Sequence, residues 1–234
     1  MRYCLFIFIS IFSLNTISPQ KIEAIDLGLP SGVKWGNMNI GATSETDYGE
    51  YFAWGEVKTK KYFGFYTQYQ HYEEIDEAGA DTLIFHKYDI KSTDSTSLLP
   101  STRLDFVDDV AYQRLGGGWR MPTEKEMQEL LDMCVWTVSV VDGTKGFVVK
   151  SKVNSNCIFL PFVGFKDNGN FRYYPGREGA YWTSSFAVSR MITAEAIKLR
   201  EYALCLKLKT GGHKSIGFEP RKMGCVIRPV KKEL

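Results

Sequence analysis

The 234 residues carry 29 lysines and arginines against 27 aspartates and glutamates, a net charge of +2. That near balance, without a polybasic run, argues against nucleic acid or an anionic membrane surface as partner. The chain is long enough to bury a core without disulfide or metal staples, and once a leader is set aside its length is that of one domain.

The N-terminal stretch MRYCLFIFISIFSL places Arg2 ahead of an apolar run of about ten residues, the form of a signal-peptide h-region. A membrane span needs about 20 residues, so none is expected here. NTISPQKIEAID then turns polar. Residues 1–24 are accordingly expected to be an export signal cleaved between Ser18 and Ala24, leaving a secreted, cell-surface or periplasmic product. Cys4 precedes the apolar run, whereas a lipid-anchoring cysteine would follow it, so a lipoprotein is not expected. Four cysteines lie beyond the leader, Cys134, Cys157, Cys205 and Cys225, an even number that permits two disulfides in an exported chain.

Residues 25–234 read as a single domain. AIDLGLPSGVKWGNMNIGA predicts a strand, a Pro-Ser-Gly turn and a second strand carrying Val33 and Trp35. After the aromatic stretch DYGEYFAWGEV, periodicity dissolves over about 60–104, which is expected to be an irregular insertion. Its aromatic string from Tyr62 to Tyr72 is expected to pack inward. DFVDDVAYQRL predicts a short helix with Asp108 and Asp109 on its surface.

The segment LGGGWRMPTEKEMQELLDM, 115–133, has three glycines but no Gly-Lys-Ser/Thr closing them, so it is not a phosphate loop. Thr123 followed by Glu126 is a capping box that starts a helix. Met127, Leu130, Leu131 and Cys134 then form one apolar stripe facing a core. Beyond it the period changes to two. CVWTVSVVDGTKGFVVKSK predicts a hairpin turning at Asp142-Gly143, and CIFLPFVGF, NFRYYPG, AYWTSSF, YALCLKLK and GCVIRPV predict further strands. The whole is an α+β domain, an antiparallel sheet with hairpins and about two short helices in the first half.

Six segments, DLGLPSGVKW, YGEYFAWGE, GGGWRMPTEKEMQELL, IFLPFVGF, AYWTSS and GCVIRPV, follow in an order and spacing that resemble the Fibrobacter succinogenes major paralogous domain group, abundant in exported proteins of gut Bacteroidetes. The resemblance spans Ile25 to Val230. It implies a C-type-lectin-like fold, shared with formylglycine-generating enzymes and with many surface binding domains. RMPTEKE resembles a helix-starting segment of those enzymes. Their copper chemistry needs two closely spaced cysteines near the C-terminus, whereas Cys205 and Cys225 stand twenty residues apart. Calcium-dependent lectins use Glu-Pro-Asn or Gln-Pro-Asp followed by Trp-Asn-Asp, a set of oxygens that calcium requires. Here Trp182 is followed by hydroxyls, and FEPR comes after it with Arg221 in place of the amide.

No metal, cofactor or catalytic set is expected. His71, His86 and His213 stand apart, without zinc-ligand spacing, and read as exposed loop residues. The loop FKDNGNFRYYPGREGAYW is the candidate ligand-binding stretch. Asp167, Asn168, Asn170, Arg172, Tyr173, Tyr174 and Arg177 combine hydrogen-bonding groups with rings able to stack on sugars. The same residues also fit a plain hairpin at DNGN with its aromatics packed inward. Cys205 and Cys225, on what look like neighbouring strands, are the candidate disulfide. The expected function is an exported, non-catalytic binding or adhesion module for a glycan or a host or matrix surface protein. The alternatives are a formylglycine-generating-type enzyme with displaced catalytic residues and a structural subunit of a surface assembly.

Overall fold

The computed structural model describes residues 21–64, 68–74, 83–85, 87–88, 103–167, 170–173, 175–186 and 201–232. The expected export signal lies almost wholly outside them. Its architecture is mixed: mostly antiparallel sheets and two short helices, an α+β arrangement.

The first and last strands of the described chain share one sheet. β1 (Ala24–Asp26) pairs with β2 (Lys34–Gly36), and β14 (Val230–Lys231) lies between β2 and β5 (Trp119–Arg120). Gly118, just before β5, has φ +82°, and a Cβ there would stand 2.5 Å from the Lys232 carbonyl oxygen. The third of the three glycines therefore lets the C-terminal strand approach.

Helix α1 (Val110–Leu115) is capped by Asp109, whose carboxylate accepts from the amides of Ala111 and Tyr112. Asp108 and Asp109 are buried rather than on the helix surface. A pattern of adjacent acids reads as solvated, but one is the cap and the other meets an incoming segment. Helix α2 (Glu124–Met133) begins at the expected capping box: Thr123 Oγ1 accepts from the Glu126 amide, and Glu126 accepts from the Thr123 amide. Glu126 also takes both ends of the Arg120 guanidinium at 2.8 and 2.5 Å. Burial alone would raise its pKa, but this fork and the Thr123 amide outweigh it and hold the carboxyl below its usual range. RMPTE is thus one closed unit of helix start. Met127 and Leu130 are buried as expected, while Cys134 ends the helix and opens the next strand. Among the described residues there are two helices, the expected number, but not both in the first half, because α2 lies beyond the chain midpoint.

β6 (Cys134–Val141) and β7 (Thr144–Ser151) form the expected hairpin, and β8 (Cys157–Pro161) joins β7. Asp142 and Gly143 both have positive φ, as a tight two-residue turn requires. β11 (Glu178–Phe186), β12 (Tyr202–Lys209) and β13 (Lys214–Pro220) make the central sheet. Both its faces are covered. Tyr181, Leu206 and Leu208 point into one core with Trp35, Leu130, Phe147 and Phe162, while Ala180, Trp182 and Cys205 point into a second with Phe52, Trp54 and Phe186. Alternate residues of one strand thus serve two cores. In the 60–104 stretch, β3 (Tyr72–Glu74) and β4 (Leu83–Phe85) pair as a hairpin, more regular structure than expected. Phe63 and Tyr69 are buried as the aromatic string predicts, though Tyr62 is exposed. GCVIRPV runs through isolated bridges at Gly224, Cys225 and Val226 before reaching β14, instead of forming one continuous strand.

Two substitutions test this helix as a structural element. Thr123→Ala should cost about 1 kcal/mol and Leu130→Ala about 2 to 5 kcal/mol, read by chemical denaturation.

Candidate functional site

The candidate loop is organised by β9 (Phe165–Asp167) and β10 (Asn170–Tyr173), which pair antiparallel as a short hairpin. The two strands flank the DNGN segment, whose Asn168 and Gly169 lie outside the described residues. Asp167 ends β9, half-buried, and Arg177 is exposed before β11. Asn170, Arg172 and Tyr173 lie in β10, of which only the backbone placement is described, and Asn168 and Tyr174 fall outside the described residues. The hairpin is tied to the body at its base: the Gly164 amide donates to Glu178 O at 2.7 Å, and Lys166 exchanges backbone bonds with Gly224. The Arg177 carbonyl accepts from the Thr210 amide at 2.9 Å.

Beside this hairpin the central sheet carries a shallow depression of about 280 Å³, with Phe165 and Glu178 at the hairpin side and Tyr202, Phe218 and Pro220 at the far side. Phe218 is 51% exposed and meets Tyr202 edge to face, with ring centroids 5.2 Å apart. The register that makes this possible is Tyr202↔Pro220 and Leu204↔Phe218. Between the two walls, Lys207 pairs with Glu219, and its ammonium stands 4.8 Å over the Phe165 ring. Lys209 pairs with Glu178 at 3.4 Å. Two lysines and two glutamates thus offset each other on the face that carries Phe165, whereas by register Phe218 and Tyr202 stand on the opposite face of the same strands. Sequence reading missed this set, because it joins residues from three strands and β13 was itself unforeseen. A second depression, about 450 Å³, lies along the seam of α2 and β13. It is larger but has no aromatic lining, so the smaller one is the better binding surface.

Acid–base residues also gather where 87–88 meets α1, but in an enclosed cluster. Asp108 Oδ2 accepts from Tyr88 Oη and from Lys87 Nζ. His71 lies 3.9 Å from the other oxygen, its Nε2 at 2.9 Å from Gly55 O. Arg221 donates to the Tyr88 carbonyl at 2.9 Å. His71 is buried, against the expectation of an exposed loop histidine, because its ring fills a space edge to face with Tyr69 and Tyr88. The cluster clasps the insertion to the body and opens onto neither depression. Among the described residues, no group of three or more His, Cys, Asp or Glu side chains could hold a metal.

Cys134, Cys157, Cys205 and Cys225 are all thiols in the structure. Cys205 and Cys225 share the second core but are not on paired strands. Cys205 stands opposite Trp182 and Gly217, and Cys225 bridges to Phe52. Burial pushes the Cys205 thiol up to about 12 and the Cys225 thiol well above its usual value.

No family model matches the chain, and neither does any curated protein or solved structure.

The thiol arrangement has a direct check by alkylation and peptide mapping without reductant. In the native protein, exposed Cys157 should be modified while Cys134, Cys205 and Cys225 are protected. In denaturant all four should react. Persistent protection of Cys205 and Cys225 in denaturant would show the disulfide expected from the sequence.

Proposed function

We propose that the chain is an exported, non-catalytic binding or adhesion module with a C-type-lectin-like fold, akin to the Fibrobacter succinogenes major paralogous domain group, and that it recognises a glycan on a cell or matrix surface. The fold part of this reading draws support from where the six resembling segments lie. Each supplies buried residues to the same body: Trp35, Trp54, Met121, Phe162, Trp182 and Val226 are all fully or nearly fully enclosed. Segments spread over some two hundred residues are mutually packed, which is what a shared fold asks of a shared pattern.

The observation that carries the function is the exposed Phe218, edge to face with Tyr202 on the sheet's outer strand, with the paired lysines and glutamates on the other face of that strand. An aromatic ring offers a flat apolar surface on which a sugar ring can stack, and the ammonium and carboxylate groups across the strand can bond hydroxyls of an adjoining sugar. The balanced charges favour a neutral ligand over an acidic one. An open, shallow surface suits an extended chain lying across it, rather than a small molecule enclosed by a pocket. The β9–β10 hairpin, with Asp167 beside its turn and Arg177 between β10 and β11, borders the depression through Phe165.

A glycan and extracellular-matrix array on the purified domain would identify the ligand. Phe218→Ala should then weaken its binding by about 1 to 3 kcal/mol, as for an interface anchor. A chelator should have no effect, and the melting temperature should stay unchanged because the ring is half in solvent. Unchanged affinity in Phe218→Ala would contradict the assignment.

A further inference from the structure

The β6–β7 hairpin outreaches the core it stands on. Near its base Trp136 packs edge to face on Phe147, centroids 5.4 Å apart, and donates to Leu130 O. Toward the turn, on the same face of the strand, Val138 and Val140 are 37% and 65% exposed. β8 covers one edge of β7, while β6 pairs with β7 alone among the described residues. Its outer edge is open over eight uninterrupted register positions, from Cys134 to Val141.

Open edges of this length are usually blunted by charge, proline or a bulge, because an unpaired ladder of amides and carbonyls is a template for another strand. The chain does this at β13, whose open edge carries Lys214, Lys-paired Glu219 and Pro220. β6 has no Asp, Glu, Lys, Arg, His or Pro, and no bulge. The edge that should be protected is instead uncharged and unbroken, with Trp136, Val138 and Val140 along one face.

Its sequence also matches itself. Val141↔Thr144 closes the two-residue turn, so Val141, Ser139 and Thr137 bond toward β7 while Val140, Val138 and Trp136 turn their backbone groups outward. If a second copy runs antiparallel about a two-fold axis at Val138, that valine faces its counterpart and Trp136 faces Val140. On the opposite face Thr137 meets Ser139. Apolar residues oppose apolar ones, polar oppose polar, and no like charges are brought together. An isologous pairing needs this self-complementarity. A different partner would be selected by charge that β6 does not offer. We infer that the chain associates with a second copy of itself by antiparallel β6–β6 pairing, joining two three-stranded sheets into one of six.

Sedimentation velocity on the mature chain, over roughly 1 to 100 µM to span the weak range of small interfaces, tests this. The wild type should pass from monomer to dimer across that range. Val138→Lys/Val140→Lys, at two partly solvent-exposed positions, should stay monomeric with an unchanged circular dichroism spectrum. Val140→Lys alone, at the more exposed of the two, should raise the dissociation constant at least about tenfold, the scale on which a buried unpaired charge acts. A wild type that remains monomeric throughout would overturn the inference. So would a dimer whose dissociation constant the single lysine does not change.

Discussion

One buried cation holds the ends of this fold to its middle. Arg228 is fully enclosed, and among the described residues no carboxylate bonds its guanidinium. Its Nε donates to Asn39 Oδ1 at 2.8 Å, one Nη to the carbonyls of Gly36 and Asn37 at 3.0 and 2.8 Å, and the other to Phe159 O at 2.8 Å. Burial pushes its pKa down to about 10, so it still carries its charge at neutral pH. A buried charge is tolerated only when its donors are satisfied. Here the donors draw the segment after β2 and the middle of β8 onto the approach to β14. Three stretches far apart in the chain converge on one planar group, and Pro229, next along the chain, packs beside Gly36.

A second set of bonds knits the other side. Trp54 Nε1 donates to Thr183 O and Trp182 Nε1 donates to Phe52 O, each at 2.8 Å. Phe52 also exchanges backbone bonds with Cys225, and the Trp182 amide donates to Val226 O. The YFAW, YWTSS and GCVIR stretches are thereby locked together, with the indoles filling the second core and no N–H wasted. β11 and β12 stand between the two cores and are immobilised by both. The depression that carries the proposed binding function is built on the far ends of these same strands, so its lysines and aromatic pair project from a rigid base.

Local rules made part of this legible. The capping box at Thr123 and the Asp142-Gly143 turn depend only on neighbours in sequence, and both stand where expected. The alternation in β11 and β12 likewise announced strands. What escaped notice depends on partners distant in sequence. β13, KSIGFEP, holds a glycine, a proline and charges at its ends, so it shows little strand pattern until β12 pairs with it; Phe218 and Glu219 were invisible as site residues for that reason. Asp108 and His71 read as surface groups because nothing in their own segments reveals that Lys87, Tyr88 and Gly55 come to meet them. Arg228 was seen only as part of a strand. No local pattern distinguishes an arginine aimed at four oxygens from one aimed at water.

The central claim is that this guanidinium organises the fold by its geometry, not merely by its charge. Measuring the unfolding free energy of Arg228→Lys tests that claim most directly. The charge is kept, but a single ammonium cannot reach oxygens spread around a planar fork, so several buried acceptors would lose their donor. The account predicts a loss of about 3 kcal/mol or more, with the hydrogen-exchange protection of Trp35 and Phe159 falling together. A lysine variant as stable as the wild type would contradict it.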